Sequence, residues 1–206
     1  MLLDLRQGLA LALAFFQLAS ELSEEVEITF GGKLHVFSKK PGPGFLTATD
    51  FQPWVMVADI LREKSARHIL ERCFEKLELS GNTIAASKFL QFLVHGTSNT
   101  VDLKYFNAFK GSQSGTDSHS QHLIFPLVNV WQQIFECNAS GFQVGLREAL
   151  LLHNKFWSTE DKKALQGGWI SLPLLHACAY AHDHGMEIEV ESDYLPRWLY
   201  MGEGIK

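Results

Sequence analysis

Four residues near the end of the chain have side chains that bind metals or transfer protons. They are His176, Cys178, His182 and His184. Cys178 and His182 are four positions apart and share one face of a helix, whereas His182 and His184 are two apart and diverge. A zinc site needs further ligands, and the sequence contains neither a His-Glu-x-x-His motif nor paired Cys-x-x-Cys motifs. The cluster therefore indicates either a metal site or imidazoles at a helix end beside a core cysteine.

A second titratable group follows the polar stretch at 111–118. Asp117 precedes His119 and His122, which are three positions apart and share a helix face. With a nucleophile or a bound metal, such a set supports hydrolysis. The alternative is a polar helix start, where Asp and Ser side chains are favoured.

Carboxylates alternate with apolar residues over 186–191. Period two predicts a strand or extended segment with one buried face and one solvated face. We interpret the solvated side, extended by two residues, as a docking surface that steers a basic partner. The alternative is the solvent face of an amphipathic strand. The candidate partner-binding residues are Glu187, Glu189, Glu191, Asp193 and Tyr194.

Helices must position these groups, because apolar residues recur at three- and four-residue steps through most of the chain. The predicted helices span 2–22, 50–61, 64–79, 84–95, 101–110, 119–137, 139–157 and 170–184, with a short one after Ser192 or Asp193. No fixed repeat period is present. The predicted fold class is mainly α: a multi-helix array of antiparallel helix pairs, loosely repeat-like, with one small β-hairpin near 24–37.

Single residues specify several helix starts. Thr49 or Asp50 is predicted to cap a helix with Pro53 in its first turn. Pro126 is predicted to kink the helix over 119–137 or to mark its true start. Residues 158–161 resemble a cap and an acidic first turn of a further helix.

The closing helix is predicted to begin near Ser171, with Trp169 opening its inward face. Gly185 follows the last turn and is free to adopt positive φ, so it is predicted to end the helix. Trp198 is predicted to be buried beyond the extended segment.

Two alternating runs flank Gly31-Gly32 and predict the β-hairpin over 24–37. A lone hairpin is marginally stable, so it must pack on helices. Prolines and glycines predict a loop over 38–46.

The apolar run over 2–22 allows two interpretations. Its length resembles the hydrophobic region of a secretory signal, but the flank places Asp4 beside Arg6 instead of a clear positive excess. It is too short, and too polar at its ends, for a membrane span. We predict a core helix.

Composition limits the class of protein. With 206 residues, of which 46% are hydrophobic and 20% charged, the chain is long enough for one domain over 1–206. The net charge of −5 disfavours nucleic acid and suits a basic partner. Three widely spaced cysteines, Cys73, Cys137 and Cys178, indicate buried reduced thiols in a reducing compartment.

Two stretches resemble a known family. The first is the helix with Phe142, Ala149-Leu150, His153 and Trp157. The second runs from Trp169, through a helix of small residues that ends at Gly185, to Glu-Ser-Asp-Tyr-Leu-Pro-Arg at 191–197. Together they resemble the immunity protein 49 family, the all-helical immunity proteins of bacterial polymorphic-toxin systems. The resemblance is clear over the last third of the chain and fainter in the N-terminal helix and hairpin.

The resemblance implies a non-catalytic cytoplasmic protein that binds and neutralises a cognate toxin by occlusion. It implies no metal, cofactor, membrane or nucleic acid, and a toxin encoded by the adjacent gene. The alternative is a helical small-ligand-binding protein or metal-dependent hydrolase that uses His119/His122 or His176/His182. The sequence carries no signal for the oligomeric state.

Overall fold

The computed structural model describes residues 2–39, 46–97 and 103–204. In these ranges the chain has nine α-helices and one two-stranded antiparallel sheet, which confirms the predicted fold class. The chain divides into two compact units, Met1–Val101 and Asp102–Lys206. The single domain over 1–206 stays a prediction.

Four helices and the hairpin make up the first unit. Its elements are α1 (Leu2–Ala19), β1 (Glu25–Phe30), β2 (Lys33–Ser38), α2 (Ala48–Ile60), α3 (Lys64–Lys76) and α4 (Ile84–Gln91), which continues into a π-helical turn at Phe92–Gly96. Helix α1 packs on α2, α3 and β1, and α2 packs on α3 and α4. Leu9 and Phe16 of α1 are 3% and 2% exposed, so the predicted core helix is confirmed.

The predicted hairpin is confirmed, and each of its ends lies one residue later in the chain than predicted. Gly31 and Gly32 have φ of 58° and 73°, the left-handed conformation that a tight two-residue turn requires. Strand β1 packs on α1, whereas every residue of β2 is exposed. Of the loop predicted over 38–46, residues 40–45 lie outside the described part of the chain.

Helix α2 begins earlier than predicted. Thr47 is the N-cap: its side chain accepts from Asp50 N, and Asp50 Oδ2 accepts from Thr47 N at 3.0 Å. This capping box satisfies two otherwise unpaired donors, so it outcompetes a start at Thr49 or Asp50. Pro53 consequently lies inside the helix instead of in its first turn.

The second unit contains five helices. These are α5 (Leu103–Gly111), α6 (Phe125–Phe135), α7 (Ala139–Trp157), α8 (Leu172–Asp183) and α9 (Arg197–Tyr200), with a π-helical turn at Ser120–Ile124 and a 3₁₀ turn at Gln166–Gly168. The predicted start of α5 at residue 101 falls outside the described residues. Helix α6 packs on α7 and α8 around the fully buried Trp131 and Phe142.

Pro126 marks the true start of α6, one of the two outcomes predicted for it. Proline has no N–H to donate to the carbonyl of residue 122, so the regular α-helical ladder is interrupted there. The helix predicted over 119–137 is therefore a π-helical turn followed by α6.

Three predictions for the second unit are wrong. Residues 158–161 form only turns, because no buried apolar stripe follows them and Leu165 is 51% exposed. Trp169 is 63% exposed and precedes α8, so it is not part of the helix face. Cys137 is exposed at φ 51° just after α6, whereas Cys73 and Cys178 are buried as predicted. Trp198 is half-buried.

No described helix combines the length and apolar composition needed to cross a membrane.

Candidate functional site

Residues 187–194, here called the acidic segment, form neither a helix nor a strand and end in a turn at 193–194. Gly185, at φ 81°, ends α8 as predicted, with Met186 N donating to Ala181 O at 2.9 Å. Beyond it, Glu187, Glu189, Glu191 and Asp193 are exposed, whereas Val190 is 7% exposed. The predicted alternation is confirmed, although the segment pairs with no strand in the described residues.

A buried amide takes the place of a neighbouring strand. Gln143, on α7, is 7% exposed. Its Nε2 donates to Glu187 O at 2.6 Å, and its Oε1 accepts from Glu189 N at 3.1 Å. Sequence reasoning missed this residue; the available signal was its helical spacing, three and seven positions before Leu146 and Leu150.

Tyr194 anchors the far end of the acidic segment. Its hydroxyl accepts from Asn154 Nδ2 at 2.6 Å, and its carbonyl accepts from Ser171 N at 3.1 Å. Its ring centroid lies 4.9 Å from that of His153 at an interplanar angle of 67°. The segment therefore runs beside α7 from Gln143 to Asn154 and is held at both ends.

The surface of the acidic segment carries a net negative charge. Arg147 Nη2 lies 3.9 Å from Glu189 Oε2, and Arg197 Nη1 lies 4.0 Å from Glu191 Oε1. All four side chains are more than half exposed, so these pairs are weak. Glu187 and Asp193 have no cationic partner in the described part of the chain. Four carboxylates are thus opposed by two guanidinium groups.

Exposed aliphatic side chains lie on the outer face of α7 next to the acidic segment. Val144 is 64% exposed and Leu151 is 72% exposed. They share one helix face with Arg147, which contacts the segment. The outer surface of the second unit therefore combines carboxylates with apolar area.

The His176 cluster does not assemble as a site. His176 is 2% exposed, and its ring centroid lies 5.5 Å from that of Trp131 in the core. Burial raises the pKa of the Cys178 thiol, which favours the neutral, unreactive form. His182, four residues on, is half-buried, with Nδ1 3.3 Å from Asp183 Oδ1.

The His119 cluster is a capped turn. Asp117 Oδ1 accepts from Ser120 N at 3.0 Å, and hydrogen bonds from Ser120 lower the pKa of that carboxyl. His119 and His122 both contact Phe156, at ring-centroid distances of 5.9 and 6.4 Å. Across the described ranges, no three His, Cys, Asp or Glu side chains are grouped so that they could hold a metal.

A polar depression of about 360 Å³ lies where α6 meets α7. It is lined by Asn129, Gln133, Asn138, Ser140, Gly141, Val144 and Gly145. Asn138 Nδ2 donates to Gln133 Oε1 at 2.7 Å, and Gln133 Nε2 donates to Asn129 Oδ1 at 3.3 Å. The lining amides bond to one another, and the lining residues include no His, Cys, Asp, Glu or Lys that could act as a base or metal ligand.

Comparison with known families identifies the chain. The model of the family "Immunity protein 49" matches residues 2–199 of the 206. The chain belongs to the immunity protein 49 family. The match spans residues of both units, well beyond the last third on which the resemblance was clearest. No curated protein and no solved structure matches the chain.

The residues that carry the resemblance to immunity protein 49 have structural roles here. His153 is 4% exposed, with Nε2 3.3 Å from Gly168 O. Burial lowers the pKa of His153, and its bond with the Gly168 carbonyl opposes that effect. Trp157 covers Gly168 so closely that a Cβ there would lie 2.8 Å from Trp157 Cβ. These family-like positions join α7 to the start of α8.

Proposed function

We propose that this protein binds a cognate bacterial toxin and neutralises it by covering the toxin's active surface, without catalysis of its own. The observation that supports this most strongly is membership of the immunity protein 49 family over nearly the whole chain. We expect the toxin to be encoded by the adjacent gene of a polymorphic-toxin system. We expect the complex to form in the cytoplasm, without nucleic acid or membrane as partner.

We propose that the toxin docks on the acidic segment. The partner-binding residues are Glu187, Glu189, Glu191, Asp193 and Tyr194. Because Gln143 and Asn154 already hold this segment, little conformational entropy is lost when it binds. Its net negative charge accelerates the encounter with a basic toxin surface and disfavours the binding of acidic proteins. Val144 and Leu151 supply apolar area beside it.

The first test is co-expression. The chain is produced with the product of the adjacent gene, and growth rescue and co-purification are measured. We expect rescue together with a stable complex. A folded chain that neither binds nor rescues would refute the proposed function.

The second test locates the binding face. Glu187→Lys, Glu189→Lys and Glu191→Lys are combined in one variant. The matched control reverses Glu24, Glu75 and Glu78, three exposed glutamates of the first unit, and produces the same change in net charge.

We expect the segment variant to lower the association rate at least tenfold at low salt, because steering depends on local charge. The control should bind like the wild type. Equal loss in both variants would show that only overall charge matters. Full binding by the segment variant would place the face elsewhere.

A further inference from the structure

Strand β2 presents an apolar edge that is left uncovered by the residues the structure describes, 2–39, 46–97 and 103–204. Its six residues are all exposed, with Leu34 at 61%, Val36 at 51% and Phe37 at 38%. Helix α1 packs against β1, the other strand of the hairpin. Soluble proteins usually shield such an edge, because its unpaired backbone groups are a template for another strand.

The phase of the hairpin shows which backbone groups point outward. Phe30 and Lys33 flank the two-residue turn, so they form a hydrogen-bonded pair. Lys39 N donates to Glu24 O at 3.0 Å, so Glu24 and Lys39, six residues along each strand, are also a hydrogen-bonded pair. Alternate residues Lys33, His35 and Phe37 therefore bond to β1, and the N–H and C=O groups of Leu34, Val36 and Ser38 point away from it.

We propose that this edge is a dimer interface, at which β2 pairs antiparallel with β2 of a second copy of the chain. The product is a four-stranded sheet in the order β1–β2–β2–β1 about a two-fold axis. Leu34 then faces the second copy's Val36, and Val36 faces the second copy's Leu34. Four exposed aliphatic side chains become one cross-strand cluster, and the outward backbone groups are paired.

Charge selects this register. On the other face of the strand, this register places His35 opposite the second copy's His35 and Lys33 opposite the second copy's Phe37, where an ammonium and an aromatic ring attract each other. A shift by two residues one way places Lys33 opposite the second copy's Lys39, which is repulsive. The opposite shift places Lys33 opposite the second copy's His35, so the contact between Lys33 and Phe37 is lost. A shift by one residue moves the aliphatic side chains to opposite faces.

Self-complementarity favours a second copy as the occupant of this edge, because one register pairs Leu34 with Val36 and Lys33 with Phe37 of the second copy. Lys39, beyond the end of β2, is paired within its own copy, with its Nζ 2.6 Å from Glu21 Oε1. The dimer proposal concerns a different unit and does not depend on the proposed function.

The first experiment removes one outward N–H. In Val36→Pro, the missing donor points to solvent in the monomer, so the hairpin can be retained while edge pairing is lost. The control is Ile84→Pro, at an exposed aliphatic residue in the first position of α4, where proline is tolerated. Sedimentation velocity across a concentration series measures the mass.

The wild type and Ile84→Pro are expected to shift from the 23.2 kDa monomer toward twice that mass as concentration rises. Val36→Pro is expected to stay monomeric. A wild type that is monomeric throughout, or a Val36→Pro chain that dimerises normally, would overturn the proposal.

A second pair of variants tests edge pairing without a proline, so the test still holds if Val36→Pro prevents the hairpin from folding. One chain carries Leu34→Glu with Val36→Glu, and the other carries Leu34→Lys with Val36→Lys. Each alone is expected to be monomeric because like charges face each other, and an equimolar mixture is expected to form heterodimers. A mixture that stays monomeric would contradict edge pairing. Protection of the Leu34 and Val36 amides only when toxin is added would also contradict it and assign the edge to the toxin.

Discussion

At the level of single residues, His153 connects three parts of the second unit. It lies on α7, its Nε2 faces the Gly168 carbonyl, and its ring packs on Tyr194 at the end of the acidic segment. A buried histidine at such a junction has a structural role that depends on its being neutral.

Replacement of His153 by glutamine should change how stability depends on pH. The folded-state pKa of His153 is lowered by burial, so its contribution is complete above the ordinary value of about 6.5. It is lost as the pH falls from there toward the lowered pKa, because only the unfolded chain takes up the proton. His153→Gln keeps a donor for Gly168 but does not titrate.

The measurement is the free energy of unfolding by urea at a series of pH values from about 8 to about 5. The wild type should lose its advantage over His153→Gln as the pH falls. The control is His68→Gln, which replaces an imidazole whose side chain is 71% exposed. A constant difference between wild type and His153→Gln over the whole range would contradict the assignment.

Gly168 permits a close approach that no other residue allows. A Cβ at this position would lie 2.8 and 2.9 Å from Trp157 Cβ and Cγ, which cannot move without displacing the backbone of α7. Gly168→Ala should therefore destabilise the protein by about 1–3 kcal/mol. Gly111→Ala is the control, because nothing lies within 4 Å of its Cβ position. Equal urea midpoints for the two variants would argue against this close packing.

At the level of elements, α7 organises the second unit. One of its faces packs on α6, and residues from Gln143 to Asn154 hold the acidic segment. A strand would normally require a neighbouring strand to satisfy its backbone. Gln143 meets that need for Glu187 O and Glu189 N with both ends of one amide, so this part of the segment is held without a sheet.

Gln143→Leu should loosen the acidic segment while α7 stays folded. Leucine fills a similar volume but leaves Glu187 O and Glu189 N to water, so we expect a loss of about 1–2 kcal/mol. Hydrogen exchange of the Glu189 amide should accelerate at least tenfold. Gln166→Leu, at an exposed glutamine, is the control. Unchanged exchange at Glu189 would show that the segment is held by other contacts.

At the level of the whole molecule, the family match covers residues in both compact units, Met1–Val101 and Asp102–Lys206. A protein that acts by occlusion needs a stable surface, not a moving one. We therefore predict that the chain unfolds as one cooperative domain over 1–206.

The test of cooperativity uses the distribution of tryptophans. Trp54 lies in the first unit, and Trp131, Trp157, Trp169 and Trp198 lie in the second. In Trp54→Phe, fluorescence reports on the second unit, whereas far-ultraviolet circular dichroism reports on helices of both. The two urea transitions should coincide. Separate midpoints would show two independently folding domains.

The sequence by itself determined the features that depend on local backbone geometry. Gly31-Gly32 specified the hairpin turn, Pro126 the start of α6 and Gly185 the end of α8, because glycine and proline restrict or release φ at their own positions. Apolar periodicity determined the mainly helical class, and the motifs at 142–157 and 169–197 carried the family resemblance.

Only the tertiary structure decided which side chains meet across the chain. The contact of Gln143 with Glu187 and Glu189 joins residues more than forty positions apart. The exposure of Trp169 and Cys137 likewise depends on where neighbouring elements pack. Periodicity predicts the face on which a residue lies, but burial depends on what covers that face, which is a property of the folded chain.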